Sequence, residues 1–178
     1  QRKRLNRRSV DAAPGVWQIR EQKVARLNSS LFIHPKKPAL VLAPMEGVTD
    51  ARLRALLTRT GFYDYCVSEF IRISETVLSP KNFKRPVPEV SHSGEQKCKT
   101  IAGVPVLVQI LGGDPDRLAQ SALNAVEAGA TGIDLNFGCP APTVNRNDGG
   151  ATLLKYPHRI EAIVRKIRDT LPSSIPLS

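Results

Sequence analysis

The fold is decided by residues 105–136, which carry the sequence PVLVQILGGDPDRLAQSALNAVEAGATGIDLN. The apolar run at 105–110 is typical of a strand that is buried on both faces. Asp114 and Pro115 then predict the start of a helix, because Asp caps helices and Pro suits their first position. A second apolar strand is predicted at 131–136. A strand, a helix and a strand in this order predict a parallel sheet with helices on its faces.

Further strands and helices are predicted on both sides of this unit. Apolar runs predict two more strands and the opening of a third, at 39–43, 65–67 and 174–178. Helices are predicted after Asp50, at 73–78 and from Pro157 onward, and a long loop is predicted at 80–103. The first of these helices is expected to bury a face made of Leu53, Leu56 and Leu57.

Two architectures fit this alternation, a doubly wound sheet and a (β/α)₈ barrel. The first strand is not followed by G-x-G-x-x-G, which makes a dinucleotide-binding fold less favoured. Polar or reactive residues gather where the predicted strands end, at 44–47, 68–70, Gln109 and 136–139. In a parallel barrel that end carries the active site. A complete barrel has about 250 residues, so this chain would hold the first half of one.

Positive charge is concentrated near the N-terminus. The chain of 178 residues has a formal net charge of +10, and residues 1–38 contribute +8 of it. We predict that residues 1–38 form a poorly ordered basic extension and that 39–178 form the folded body. A solvated tail is the simpler interpretation of the extension, and an arm that attracts nucleic acid through its phosphates is the alternative.

The composition excludes several classes of protein. Hydrophobic residues make up 41% of the chain, which is enough for a core and excludes wholesale disorder. The sequence contains no run of about 18 apolar residues, so no membrane span is predicted. Three scattered cysteines fit neither a disulfide-linked secreted scaffold nor a zinc site. We therefore expect a cytoplasmic, metal-free protein, and a monomer.

Cys139 is the candidate reactive residue, because Gly138 and Pro140 fix it in a turn after a predicted strand. Its thiol is mostly protonated near neutral pH, and no pairing with His or Asp is evident, so a proton donor is favoured over a nucleophile. Cys66 lies within a strand and is expected to be a buried, inert residue. Cys98 lies in a Lys-flanked loop and is expected to be exposed.

Five motifs resemble, in order and spacing, those of the tRNA-dihydrouridine synthases. They are LAPMEGVTD at 42–50, CVSEFIR at 66–72, VQILG at 108–112, DLNFGCP at 134–140 and GGATLL at 149–154. The similarity covers residues 39–178 and is greatest to the bacterial C-type subfamily, with its Thr/Ser-Glu-Phe-x-Arg stretch. The resemblance implies an FMN enzyme on a TIM (β/α)₈ barrel, with 39–178 as the N-terminal part of the catalytic domain. Such enzymes reduce the C5=C6 bond of specific uridines in tRNA, and NADPH recharges their FMN.

The resemblance also implies which residues bind the cofactor. Pro44, Met45, Glu46 and Gly47 would lie along the flavin at the end of the first strand. Gln109 would hydrogen-bond the flavin ring, although from the sequence alone it is only an amide that needs partners in an apolar strand.

Three further residues would act on the tRNA substrate. Asn136 would hold the flipped uracil, and its amide suits the edge of a nucleobase, although Asn also forms turns. Cys139 would be the general acid that protonates C5 while the flavin delivers hydride to C6. Arg72 matches a position that contacts tRNA in the C-type subfamily.

Two other functions stay open as alternatives. An FMN-dependent dehydrogenase or reductase of a free pyrimidine, of the dihydroorotate or dihydropyrimidine type, has a similar Asn-x-x-Cys-Pro turn. It is less favoured, because the opening motif and the Glu-Phe-x-Arg stretch fit the tRNA enzymes better. The third interpretation is a half barrel with a basic arm that binds RNA without catalysis.

We expect this chain alone to bind FMN poorly and to be inactive. The family's flavin-contacting Lys on the fifth strand, and the His after it, would come after Ser178, the last residue of the sequence. A fluorescence titration of FMN with the 178-residue protein tests this expectation. Micromolar or tighter binding would contradict it.

Overall fold

The computed structural model describes residues 38–146 and 149–178. Within them, five strands form one sheet: β1 (Val41–Leu42), β2 (Tyr65–Val67), β3 (Ile71–Arg72), β4 (Val106–Leu111) and β5 (Ile133–Leu135). The α-helices of the described part are α1 (Ala51–Thr58), α2 (Pro80–Lys84), α3 (Pro115–Ala128), α4 (Pro142–Arg146) and α5 (Pro157–Thr170). Short 3₁₀ helices lie at Pro88–Ser91, Gly94–Gln96 and Gly150–Lys155. The predicted basic extension lies outside the described residues, apart from Pro38.

The order of the strands distinguishes between the two architectures. β1 pairs with β2, and β2 and β3 pair in turn with the beginning and the end of β4, as two parts of one interrupted strand. β5 pairs with the other side of β4, and Leu177 forms a parallel bridge to Ile133 beyond it. All these pairings are parallel, and the strands lie side by side in chain order. A doubly wound sheet reverses its order at a switch point, whereas a barrel does not. The predicted fold, the first half of a TIM barrel, is confirmed.

β4 is the centre of the sheet, and every one of its residues is buried. The long helix α3 packs on it, and α3 packs in turn against the other long helix, α5. α3 buries Leu118, Ala122 and Ala125, and α5 buries Ile163 and Ile167. Asp114 caps α3 as predicted, because its carboxylate accepts a hydrogen bond from the backbone of Arg117 at 2.9 Å.

Within the described ranges, no helix is both long enough and apolar enough to cross a lipid bilayer.

The predictions for 73–78 and 80–103 are wrong. The segment 73–78 is not helical, and α3 side chains hold the backbone of its last residue: Ser121 Oγ accepts from Leu78 N at 3.1 Å, and Asn124 Nδ2 donates to Leu78 O at 2.8 Å. The segment 80–103 holds α2 and two 3₁₀ turns rather than one long loop.

The start signal of α2 was present in the sequence. Pro80 occupies the first turn, and the backbone N–H of Ser79 donates to Asn82 Oδ1 at 2.8 Å. The helix is also anchored by Phe83, which is completely buried. One turn of helix with a single apolar anchor is too short to produce a periodic pattern.

The expected exposure of Cys98 is also wrong. Cys98 is fully buried, and its thiol donates to the carbonyl of Val106, the first residue of β4, at 3.1 Å. The exposed Lys97 beside it suggested a surface loop, but the chain folds inward at Cys98 and packs on the sheet. Cys66 is fully buried, as predicted. Burial raises the pKa of both thiols, that of Cys66 to about 12.

The buried face of α1 is not the predicted leucine face. Leu56 is 60% exposed, whereas Arg54 and Thr58 are buried. Arg54 is paired with Glu89: Nε donates to Oε1 at 3.0 Å and Nη2 donates to Oε2 at 2.9 Å. Arg54 Nη1 also donates to the carbonyl of Thr49 at 2.8 Å. The guanidinium therefore ties α1 to the Pro88–Ser91 turn and to the loop after β1.

We predict that Arg54→Met lowers the free energy of unfolding by about 3–5 kcal/mol, because it leaves Glu89 buried without its partner. Urea unfolding followed by circular dichroism measures this change. Arg165→Met is the matched control, because the ion pair of Arg165 with Glu161 lies on the exposed surface of α5. If both variants unfold at the same urea concentration, the buried pair does not have the structural role given to it. The double variant Arg54→Met, Glu89→Leu should recover part of the loss, because it leaves no charge unpaired.

Candidate active site

The loop after β1 is held in a fixed turn at the carboxyl edge of the sheet. The carbonyl of Met45 accepts from Val48 N at 3.0 Å and from Thr49 N at 2.9 Å. In return, the N–H of Met45 donates to Thr49 Oγ1 at 2.6 Å. Thr49 is completely buried, and Arg54 holds its carbonyl. The loop thus has a buried anchor on one side, and on the other side it leaves Met45 exposed together with the two residues that follow it, Glu46 and Gly47.

Neighbouring strands connect this loop to the centre of the sheet. The N–H of Gly47 donates to Glu69 Oε1 at 2.5 Å, and Glu69 lies in the interruption between β2 and β3. In the same interruption, Ser68 Oγ accepts from the backbone N–H of Gln109 on β4 at 3.0 Å. One edge of the sheet therefore carries, one after another in space, the loop after β1, the residues between β2 and β3, and Gln109.

Gln109 and Asn136 belong to one hydrogen-bonded chain. Asn136 Nδ2 donates to Gln109 Oε1 at 3.0 Å, and Gln109 Nε2 donates to Asp134 Oδ2 at 2.6 Å. Ser178 Oγ donates to the other oxygen of the same carboxylate at 2.7 Å. The buried amide of Gln109 thus has the partners that its position in an apolar strand requires.

Asp134 is a member of this chain that the sequence did not point to. It lies opposite Gln109 in the register of β4 and β5, and two residues before Asn136. Because side chains alternate along a strand, residues two apart share a face, and this spacing was the available signal. The Asp134 carboxylate also raises the pKa of Tyr65, as a smaller cause beside burial.

Asn136 positions the turn that carries Cys139. Its Oδ1 accepts from the backbone N–H groups of Gly138 and Cys139, both at 3.0 Å. These two bonds use both lone pairs of that oxygen and fix the orientation of the amide. One Nδ2 hydrogen goes to Gln109, so the group that Asn136 still offers to a ligand is an N–H donor. Such a group recognises a carbonyl oxygen.

Cys139 is partly exposed in this turn, in contrast to the two buried cysteines. The chain at Gly150 packs against this turn. The backbone N–H of the next residue, Ala151, donates to the carbonyl of Cys139 at 3.0 Å. A Cβ on Gly150 would lie 2.5 Å from that carbonyl oxygen and 2.8 Å from Val144 Cγ1. Gly150 also has a φ of +61°, which L side chains rarely adopt.

Arg72 reaches the same region from β3. It is half-buried, and its Nη2 lies 3.4 Å from Oγ1 of Thr143, on the short helix α4 that follows the Cys139 turn. The structure therefore brings Arg72, Gln109, Asn136 and Cys139 together, with the loop at 44–47 further along the same edge. Throughout 38–146 and 149–178, no group of three or more His, Cys, Asp or Glu side chains is arranged to hold a metal ion.

We predict that Gly150→Ala displaces the Cys139 turn and changes the rate at which its thiol is alkylated by iodoacetamide. Mass spectrometry of the modified peptide measures this rate. Cys66 and Cys98 should react far more slowly than Cys139 even at alkaline pH, because burial shields them and their raised pKa keeps them protonated. Gly138→Ala is the matched control, since a Cβ at Gly138 meets nothing within 4 Å. Equal Cys139 rates in the two variants would contradict the role given to Gly150.

Comparison with known proteins identifies the family of this chain. The sequence model described as dihydrouridine synthase (Dus) matches residues 41–178. Among curated proteins, a tRNA-dihydrouridine(16) synthase of Neisseria meningitidis serogroup A is 52% identical over 143 residues, which cover 80% of this chain and 42% of the relative. Proteins of the same name from Pseudomonas putida and Vibrio cholerae are 50% and 48% identical over 139 residues, which cover 78% of this chain and 42% of each relative.

The match to the family model includes the whole edge described above. The chain spans less than half the length of the relatives that it matches. Its strand order, its Cys139 turn and these similarities agree, and the chain belongs to the dihydrouridine synthase family.

Proposed function

We propose that the protein with this chain is a tRNA-dihydrouridine synthase, which reduces the C5=C6 bond of a uridine in tRNA with FMN as cofactor and NADPH as reductant. The observation that carries the proposal is the Cys139 turn, held by Asn136 and closed by Gly150, beside a chain of oriented amides. The names of the relatives specify position 16 of tRNA, and we extend the proposal to a uridine at that position.

The residues of this edge fit a flavin. The exposed side chain of Met45 suits an apolar ring surface, and the loop behind it is anchored through Thr49. Gln109 keeps one N–H and one lone pair beyond its bonds to Asp134 and Asn136, and so matches an edge that carries both acceptors and donors. FMN, when bound, supplies the hydride and is recharged by NADPH.

The chain's own residues act on the uracil. The base must leave its stack to reach this edge, at a cost of a few kcal/mol. Asn136 offers its remaining N–H to a uracil carbonyl oxygen and so orients the ring. The Cys139 thiol donates its proton to C5, where negative charge develops during reduction. Arg72, beside the Cys139 turn, contacts the tRNA.

We predict that Cys139→Ala lowers the rate of uridine reduction by about 10²–10⁴-fold, the usual contribution of a general acid, while tRNA binding is retained. The assay uses the full-length protein with FMN, NADPH and unmodified tRNA, and mass spectrometry detects the gain of two hydrogens. Cys98→Ala is the matched control, because Cys98 is buried away from this edge and its loss should leave the reduction intact. An undiminished rate for Cys139→Ala would refute the role of the thiol. Reduction of free uracil or orotate in place of tRNA would favour the free-pyrimidine alternative.

A further inference from the structure

Asp134 has no part in the chemistry proposed above, although it belongs to the hydrogen-bonded chain that contains Gln109 and Asn136. Its Oδ2 accepts from Gln109 Nε2 at 2.6 Å, and its Oδ1 accepts from Ser178 Oγ at 2.7 Å. One partner lies on β4, and the other lies on the segment that pairs with the far side of β5. The carboxylate is therefore held from both sides of its own strand.

The partner on the far side of β5 is itself fixed by the main chain. Ser178 N donates to the carbonyl of Ile133 at 3.1 Å, and Leu135 N donates to the carbonyl of Ser178 at 2.9 Å. These two bonds bracket Asp134, so the Ser178 hydroxyl faces its side chain. A hydroxyl can donate or accept, and beside a carboxylate it donates. The position of the Asp134 carboxylate is thus set by backbone pairing.

The bond from Asn136 leaves the Gln109 amide one freedom. This bond, from Asn136 Nδ2 to Gln109 Oε1, determines which end of the amide is the oxygen. The terminal torsion of a Gln side chain is soft, so the plane of the amide can still turn about a single bond. The second bond, from Gln109 Nε2 to Asp134, fixes that plane. The direction of the remaining N–H of Gln109 therefore depends on Asp134.

We propose that Asp134 is a positioning residue for the flavin, which fixes the plane of the Gln109 amide and so aims its remaining N–H at the ring edge. The inference rests on the proposed function, because that function makes FMN the ligand of Gln109. Asp134 also brings a negative charge to within one amide group of the ring. The ring gains electrons on reduction, so a nearby negative charge makes the flavin harder to reduce.

The test measures two properties of the full-length protein, the dissociation constant of FMN by fluorescence titration and the midpoint potential of the bound flavin against a reference dye. Asp134→Leu keeps the shape of the side chain but removes its acceptors, and should raise the dissociation constant about 3- to 10-fold, the usual worth of a hydrogen bond. Asp134→Asn keeps an acceptor oxygen for Gln109. It should therefore retain the wild-type affinity, while its midpoint potential shifts to a more positive value because the charge is lost.

Asp116→Asn is the matched control. It removes the same charge from an exposed pair with Lys166 on the outer surface, and should change neither property. Wild-type affinity for FMN in Asp134→Leu would overturn the proposal. Affinity that falls as far in Asp134→Asn as in Asp134→Leu would also overturn it, because the acceptor oxygen would then not be the cause. If Asp134→Leu loses its native circular dichroism spectrum, a midpoint potential of Asp134→Asn equal to that of the control overturns the proposal.

The two properties are measured without tRNA, so the inference and the proposed function can fail separately. A protein that shows both effects at Asp134 but does not reduce uridine in tRNA would refute the proposed function and support the role of Asp134. A protein that reduces the uridine, but keeps wild-type affinity and potential in both Asp134 variants, would refute the inference alone. A wild-type protein that does not bind FMN would refute both.

Discussion

The charge of Arg54 is withdrawn completely from solvent, and the arrangement of the first barrel units depends on its partner. A buried ion is tolerated only when its hydrogen bonds and its opposite charge are supplied within the protein. Glu89 supplies both with two parallel bonds, and the carbonyl of Thr49 takes a third. The pair joins three segments that are distant in sequence: helix α1, the turn at Pro88–Ser91 and the loop after β1. The exposed residues of that loop are fixed because Thr49, beneath them, is fixed.

A second polar connection crosses the sheet without a buried ion pair. Gln109 sits in a fully buried strand, yet its amide has hydrogen-bond partners in Asp134 on β5 and in Asn136 just after it. The backbone N–H groups of the Cys139 turn determine the orientation of Asn136, and Asn136 in turn determines that of Gln109. The turn therefore fixes the orientation of both amide groups. As a result, the edge presents groups of defined donor or acceptor character to a ligand.

Local patterns predicted the parts of the fold that are themselves local. The capping of α3 by Asp114 and the apolar core strand β4 follow from neighbouring residues, and both predictions are confirmed. The strand order needed the pairings of the sheet, because periodicity contains no information about neighbours. The buried face of α1 was predicted wrongly since the partner of Arg54 is 35 residues away. Gln109, Asn136 and Cys139 were identified by motif, whereas Asp134 became evident only when the register placed it opposite Gln109.

The central place of β4 has a consequence for how this chain is made. During synthesis, β1, β2 and β3 leave the ribosome before residues 106–111 exist, and two of these three strands pair with β4. Until β4 emerges, the early strands expose apolar residues and unpaired backbone groups, which is the condition that favours aggregation. The interruption after β2 divides this exposed stretch into two short strands, of three and two residues. Short strands are poor templates for pairing with other chains, so we expect the break that carries Ser68 and Glu69 to lower the tendency of the nascent chain to aggregate.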